Sequence, residues 1–278
     1  MVHVLWSLLS LLSISTLVGQ SVDLRVMTYN IRYNNPNDGP NRWDERKTNL
    51  CHQITFVDPD FIGTQEGLHD QIAYLGQELK AYEQIGVGRD DGKKAGEFCS
   101  IFYRKDKYKL LESGTFWLSP TPDVPSKGWD AALNRICTYG LFRFKNQRFW
   151  VFNAHFDHKG KRARQESAKV IWKKIESLNR NNYPVIVLGD LNDRPSDPPL
   201  LFLKRYLKDA YDHSKQTPFG PSGTFNGFKW GQEVNGRIDY ILVSKKVKVE
   251  QHATLSDATD KKYPSDHFPV VADLIIEK

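Results

Sequence analysis

Short runs of apolar residues recur along the chain and predict buried β-strands. The runs are rich in Val, Ile, Phe and Tyr, and they are apolar almost throughout rather than strictly alternating. This pattern is typical of strands that are covered on both faces. The predicted strands span residues 24–31, 61–65, 98–103, 149–155, 185–188, 238–243 and 269–276.

Apolar residues at helical spacing predict three amphipathic helices between these strands. Strands and helices mixed along one chain favour a layered α/β or α+β domain. Segments 195–199 and 218–227, which are rich in Pro and Gly, predict surface loops. The apolar positions of the three helices are Trp43, Leu50, Ile54 and Val57, then Ile72, Leu75 and Leu79, then Ala168, Ile171, Ile175 and Leu178.

Residues 1–20 differ from the rest because they contain no Lys, Arg, Asp or Glu and carry an apolar stretch around Leu8–Leu12. Small and polar residues follow at Gly19, Gln20 and Ser21. This arrangement is typical of a secretory signal peptide, although a basic start is missing. An uncleaved membrane anchor is the alternative, but the stretch is shorter than the roughly 20 residues that a spanning helix needs. We therefore expect one domain over residues 22–278 that is secreted or periplasmic.

Composition agrees with a globular protein: 40% of the 278 residues are hydrophobic and 26% are charged. The formal net charge of +6 suits a polyanionic partner, but many proteins with neutral ligands carry as much. Three cysteines, Cys51, Cys99 and Cys137, are too few for a disulfide framework or a Cys-rich zinc site. No G-x-S-x-G motif is present, so a serine esterase of that type lacks its nucleophile.

Polar residues interrupt or end six of the predicted strands. A single carboxylate at a strand end is usually a cap or part of a salt bridge, because a buried charge costs free energy unless it is paired or binds a metal. Six such ends are hard to explain as capping, and they predict a site at one edge of the sheets. The residues are Asn30, Glu66, His155, Asp190 with Asn192, Asp239, and Asp266 with His267.

The motifs around these residues resemble the exonuclease–endonuclease–phosphatase superfamily, which includes pancreatic-type deoxyribonuclease, apurinic endonucleases and the nocturnin-like deadenylases. Each motif is short, but together they occur in the family's order and span residues 24–276. The likeness is greatest to small secreted bacterial members. The matching motifs are Tyr29-Asn30-Ile31, Gln65-Glu66, Asn153-Ala154-His155, Gly189-Asp190-Leu191-Asn192, Arg237-Ile238-Asp239-Tyr240 and Ser265-Asp266-His267.

The resemblance implies a four-layer α/β sandwich, with two packed mixed β-sheets flanked by helices. It also implies a hydrolase that cuts a phosphodiester or phosphomonoester with Mg²⁺ or Mn²⁺. A hard divalent cation prefers carboxylate and amide oxygens and offsets the negative charge of the transition state. Glu66 and Asn30 are the expected metal ligands, and Asp266 would complete or support the metal shell.

The resemblance also implies roles for the remaining residues. Asp190 would deprotonate the attacking water, and Asn192 would hold that water or a phosphate oxygen. His267 would donate to the phosphate while Asp239 fixes its tautomer and favours its charged form. His155 would contact the phosphate from the other side or protonate the leaving oxygen. Arg135 is either a phosphate contact or a structural ion pair.

The substrate stays open among nucleic acid, a phospholipid head group, and a sugar or inositol phosphate. A basic segment after His155, formed by Lys159, Lys161, Arg162 and Arg164, either touches neighbouring phosphates or is a solvated helix start. A catalytically silent metal- or phosphate-binding module is the alternative function, and a cation bound only for stability is a third possibility. We infer no stable protein partner and expect a monomer.

Overall fold

Two six-stranded β-sheets pack face to face in this computed structural model, which describes residues 21–277. The predicted signal peptide lies outside the described residues. The first sheet has the order β11 (Val247–Thr254), β12 (Val270–Ile276), β1 (Val22–Asn30), β2 (Phe61–Gly67), β4 (Phe98–Arg104) and β3 (Tyr82–Ile85). The second has the order β5 (Lys109–Trp117), β6 (Ile136–Phe144), β7 (Gln147–His155), β8 (Val185–Asp190), β10 (Asp239–Val243) and β9 (Lys208–Asp209).

Helices cover the outer faces of both sheets. One apolar core lies between the sheets, where Phe61 of β2 meets Phe142 and Phe149 of the second sheet. Two further cores lie beneath the helices, one on each sheet. The predicted four-layer α/β sandwich is therefore confirmed. The helices are α1 (Trp43–Val57) and α2 (His69–Glu78) on the first sheet, α3 (Lys161–Leu178) and α4 (Pro198–Leu203) on the second, and a 3-10 helix over Pro36–Asn41.

All seven predicted strands are present, with ends within two residues of the expected ones. Five others were not predicted. β5 is an edge strand with mostly exposed or half-exposed side chains, so it carries no apolar run, and β11 alternates buried and exposed residues. The predicted loop at 195–199 runs into α4, which begins at Pro198, where proline's fixed φ suits a first helical turn.

Two parallel strand pairs determine where the site forms. β1 and β2 are joined through α1, and β7 and β8 are joined through α3. In a parallel pair both carboxyl ends lie at the same edge of the sheet, which is where open α/β sheets bind ligands. Asn30 therefore pairs with Gln65, one residue before Glu66, and His155 pairs with Asp190.

The three cysteines are buried and free, as their apolar surroundings suggested for Cys51 and Cys99. Among the residues described, no helix combines the length and the apolar character needed to cross a bilayer.

His252 on β11 provides a test of the packing at this edge of the first sheet. The imidazole is 4% exposed and packs edge-on against Tyr211 at 5.2 Å. Burial, together with the charge of Arg237, lowers the pKa of His252 to about 4. The unfolded chain therefore takes up a proton at this position from about pH 6.5 downward, before the folded protein does.

We expect the free energy of unfolding to fall by roughly 2 kcal/mol more in the wild type than in His252→Phe between pH 7 and pH 5, because the phenyl ring keeps the packing but does not titrate. Urea denaturation at both pH values measures the difference. Parallel pH profiles for the two proteins would contradict a buried, neutral His252.

Candidate active site

Four polar side chains end the two parallel strand pairs and face one another across the sandwich. Asn30 and Glu66 come from the first sheet, and His155 and Asp190 come from the second. The Asn30 amide bridges the sheets, since its Nδ2 donates to Glu66 Oε1 and to Asp190 Oδ2, both at 3.0 Å. The structure thus brings together residues that lie up to 160 positions apart in sequence.

Glu66 is held in place by an irregularity in its strand. The pairing of β2 with β4 shifts register between Thr64 and Gly67, and Glu66 has a left-handed φ of 64°. Such a conformation is unfavourable for a residue with a Cβ, and it persists only where the surroundings fix it. The backbone N–H of Tyr33 donates to Glu66 Oε2 at 3.2 Å, so both carboxylate oxygens are oriented. The bulge turns this carboxylate into the site.

Asp190 lies at the centre of the site. Its Oδ1 accepts from the backbone N–H of Asn192 at 3.0 Å, and its Oδ2 lies 3.5 Å from His155 Nε2 and 3.8 Å from His267 Nε2. Asn192 has a φ of 50°, and its amide donates to the carbonyl of Phe156 at 3.0 Å. Burial and the neighbouring charge of Asp239 raise the pKa of Asp190 to about 7.

His267 and Asp239 form a buried pair beside Asp190. His267 Nδ1 lies 2.9 Å from Asp239 Oδ2, and the Ser265 hydroxyl, two residues earlier, donates to the carbonyl of Asn30 at 2.7 Å. Burial opposes charge on the ring, but Asp239 and Asp190 outweigh it and raise the pKa of His267 well above its usual value. His267 is therefore an imidazolium whose Nε2 faces the site.

His155 is neutral by contrast. Burial lowers its pKa well below the usual value, and the Arg135 guanidinium, with Nη1 2.9 Å from His155 Nδ1, lowers it further. Arg135 Nη2 lies 2.9 Å from His158 Nδ1, and its Nε lies 3.5 Å from Asp157. Arg135 therefore takes part in an ion pair within the site, and its contact with a phosphate stays a prediction.

Asp266 lies at the edge of this cluster. Its carboxylate is 3.8 Å from Arg32 Nε and 3.4 Å from the Ser265 hydroxyl, while Arg32 Nη1 is 3.9 Å from Glu66. Arg32 thus lies between the two carboxylates, and Asp266 supports Glu66 through it.

Sequence reasoning missed two charged groups of the site, Glu97 and Arg89. Glu97 lies 3.8 Å from His155 Nδ1 and accepts from Arg89 at 2.6 Å, and burial together with Glu66 raises the pKa of Glu97 to about 7. Asp157 is fully buried and accepts backbone N–H groups of residues 132, 133, 159 and 160. Arg89 lies in a loop segment without an apolar run, and Glu97 lies directly before β4, at the amino end of a strand where a charged residue is ordinary.

The basic segment after His155 does not form a continuous phosphate-binding face. Arg164 is buried, with Nε 2.7 Å from Asp193 and Nη1 2.9 Å from the carbonyl of Asp157. The side chains of Lys159, Lys161 and Arg162 are exposed. Arg164 is therefore a structural ion pair, and the reading of this residue as a phosphate contact is wrong.

The carboxylates of the site suit a hard divalent cation. Ligand atoms of Glu66, His155 and Asp190 lie within 4.8 Å of one another. Asp190, Asp239 and His267 are equally close, but the charged ring of His267 has no free lone pair, so this second group offers only its two carboxylates. Asp239 Oδ1 is buried and has no hydrogen-bond partner among the described residues. A buried carboxylate oxygen without a donor is costly, and a cation would satisfy it.

Comparison with known proteins agrees with this geometry. The family model described as Endonuclease/Exonuclease/phosphatase family matches residues 27–267. The chain belongs to this family. Its members are phosphoester hydrolases that use divalent metals, and the family and the fold expected from the resemblance are confirmed.

Two solved structures from Bacteroides thetaiotaomicron are similar to this family member over nearly its whole length. One, an endonuclease/exonuclease/phosphatase family protein, is 39% identical, with 93% of this chain and 100% of that chain covered and a TM-score of 0.89. The other, a mannosyl-6-phosphatase, is 40% identical, with 90% and 99% covered and a TM-score of 0.87.

A more distant relative is protein angel of Drosophila melanogaster, which is 28% identical over 173 residues. The match covers 58% of this chain and 47% of that protein, so the chain spans about half the length of this curated relative.

Asp190→Asn provides a test of the site's centre. If Asp190 is the general base that the resemblance implies, turnover should fall by at least about 100-fold. The metal-free protein should be at least as stable as the wild type, since a buried like charge beside Asp239 is removed. Steady-state kinetics and denaturation in EDTA measure the two effects. If the folded variant kept more than about a tenth of wild-type turnover, a residue other than Asp190 would be the general base.

Proposed function

We propose that this protein is a metal-dependent phosphatase that hydrolyses the phosphomonoester of a hexose, of the hexose 6-phosphate type, outside the cytoplasm. The observation that carries the proposal is the 40% identity with a mannosyl-6-phosphatase over nearly all of both chains. The complete set of site residues supports an active enzyme over a silent binding module, since each candidate residue lies within the same cluster.

Glu66, with Asn30 beside it, would hold Mg²⁺ or Mn²⁺, and Asp190 and Asp239 offer further oxygens. When bound, the cation supplies positive charge that offsets the charge developing on the phosphate oxygens. Carboxylate and amide oxygens are the ligands that these hard cations prefer.

Asp190 would take the proton of the attacking water. A carboxylate with a pKa of about 7 is a stronger base than an ordinary aspartate and is still largely ionised just above neutrality. Asn192, whose backbone N–H orients Asp190, would position the water with its side-chain amide. Attack at phosphorus would break the bond to the sugar oxygen, and this oxygen would take up one proton, equivalent overall to the one that Asp190 removes from water, so that water and the ester yield the free sugar and inorganic phosphate.

The phosphate would lie among fixed donors. His267 is charged and held by Asp239, so its Nε2–H donates to a phosphate oxygen without reorganisation. His155 is neutral, which favours hydrogen bonding to the phosphate over proton delivery to the leaving oxygen. Arg135 adds a permanent charge next to His155.

Surroundings of the site favour a small sugar ester over a long polyanion. Arg164 is paired with Asp193, so one of the four basic residues expected to contact the phosphates of a polyanion is already occupied by an ion pair. Phe225 is 49% exposed and packs edge-on against the His267 ring at 5.1 Å. An exposed ring at this point offers a flat apolar surface to the face of a hexose beside its phosphate.

Assays on a substrate panel test the proposal. We expect kcat/KM for mannose 6-phosphate or another hexose 6-phosphate to exceed that for bis-p-nitrophenyl phosphate by at least about 100-fold, because a monoester fits the clustered donors and a diester adds a second bulky group. Plasmid, single-stranded RNA, sphingomyelin and inositol phosphates complete the panel. Preferential cleavage of any diester would overturn the phosphatase assignment.

Metal removal is a separate test. Exhaustive treatment with EDTA should abolish hydrolysis of the best substrate, and Mg²⁺ or Mn²⁺ should restore it. Glu66→Gln should weaken this reactivation, so that the cation concentration giving half-maximal activity rises by about 10-fold or more. Unchanged activity after chelation would remove the metal from the mechanism.

A further inference from the structure

A cavity of about 700 Å³ lies on the outer face of the first sheet, away from the residues of the active site. Its floor is formed by strands β1, β11 and β12, and one wall is the side of α1. The other wall consists of residues 216–219 and 255–259. Ligand pockets commonly have volumes of about 300–1,000 Å³, so the space suits a small or oligomeric ligand. We refer to it as the outer groove.

Two phenylalanine rings border the outer groove and face solvent. Phe56, on the last turn of α1, is 92% exposed, and Phe219 is 72% exposed. Phe219 is fixed by its backbone, since its N–H donates to the carbonyl of His252 and its carbonyl accepts from Thr254. Large apolar groups left in water at a concave surface are typical of binding sites.

Side-chain amides are prominent among the polar groups of the outer groove, which also include Thr217, Thr259 and the carboxylate of Asp257. Gln53 is oriented by the buried Tyr29, whose hydroxyl donates to Gln53 Oε1 at 2.9 Å, and the Gln53 amide nitrogen lies 3.4 Å from Asp257. Across the groove, Gln251 donates to Gln216 Oε1 at 3.2 Å. Each amide can donate and accept, which matches the dual character of a sugar hydroxyl.

The charges on the floor largely cancel. Arg25 Nε and Nη2 donate to the two carboxylate oxygens of Asp273 at 2.7 and 3.0 Å. The single guanidinium among the described lining residues is thus already paired, which disfavours a phosphorylated or polyanionic ligand. A second copy of the chain fits less well, because a stable interface buries about 800 Å² per partner and is not confined to a concavity.

We propose that the outer groove binds a neutral hexose chain of a glycan, with Phe56 and Phe219 packing against sugar faces and the amides of Gln53 and Gln251 bonding hydroxyl groups. The site goes beyond the proposed phosphatase activity and does not depend on it. A glycan held there would raise the local concentration of any phosphorylated end that the same chain carries.

Binding of unphosphorylated polysaccharides tests the proposal, because these probes lack the group that the active site would cleave. Mannan, galactan and dextran are compared by affinity electrophoresis, and the Kd for a matching hexasaccharide is measured by calorimetry. We expect at least one to bind. Phe56→Ala and Phe219→Ala should each weaken binding by at least about 10-fold, while His267→Ala should leave it unchanged.

Leu201→Ala is the matched control, since Leu201 is also exposed but lies on α4, outside the groove. Equal binding by the Phe variants and this control would overturn the assignment, as would failure of all three polysaccharides to bind. If binding were lost in His267→Ala but kept in the Phe variants, the glycan would bind at the active site and not in the outer groove. Dimerisation in sedimentation experiments that Phe56→Ala abolishes would instead make the groove an interface between copies.

Discussion

The carboxamide of Asn153 joins the two sheets directly beneath the active site. Its Nδ2 donates to the carbonyls of Thr64 and Ser100 at 2.8 Å, and its Oδ1 accepts from Gln65 Nε2 at 2.7 Å. Gly63 leaves room for it, because a Cβ there would lie 2.8 Å from Asn153 Oδ1. Apolar packing alone is non-directional, whereas a satisfied buried amide fixes how the sheets are aligned. Glu66 and His155 each follow this link by two residues, so their separation depends on it.

The repulsion among the buried carboxylates of the active site is the second constraint on the structure. Glu66, Glu97, Asp190, Asp239 and Asp266 converge in a region of low polarity, and the pKa values of Glu97 and Asp190 rise to about 7 as a result. His267 offsets part of this repulsion from within the chain. The proposed cation would offset more, so its binding would contribute to folding stability as well as to the reaction.

The apolar runs predicted a layered domain and the positions of most candidate site residues for one physical reason, while the four-layer arrangement was implied by the resemblance to the family. Buried strands are apolar, so a polar residue such as Asn30 or Asp239 within or beside an apolar run is conspicuous. The same logic could not find Arg89, because a polar residue in a loop is ordinary until the fold places it, and it passed over Glu97, which lies directly before β4 and whose neighbours in the site are distant in sequence. Nor could it predict that Arg164 is buried while Lys161 and Arg162 are exposed, because its ion-pair partner, Asp193, is 29 residues away in the sequence. Edge strands such as β5 lacked the apolar run on which the prediction depended.

Sheet topology has a consequence for the order of assembly. β1, the first strand described, pairs with β12, the last, in a seven-residue antiparallel ladder. Contacts between such distant segments form late, because the whole intervening chain must first be closed into a loop. The Ser265 hydroxyl, which lies just before β12, donates to the carbonyl of Asn30 at the end of β1, so this pairing brings the segment that carries His267 to the site. A chain in which β12 has not yet paired with β1 therefore lacks the link between the Ser265–His267 segment and Asn30, so the site is complete only after this long-range pairing has formed.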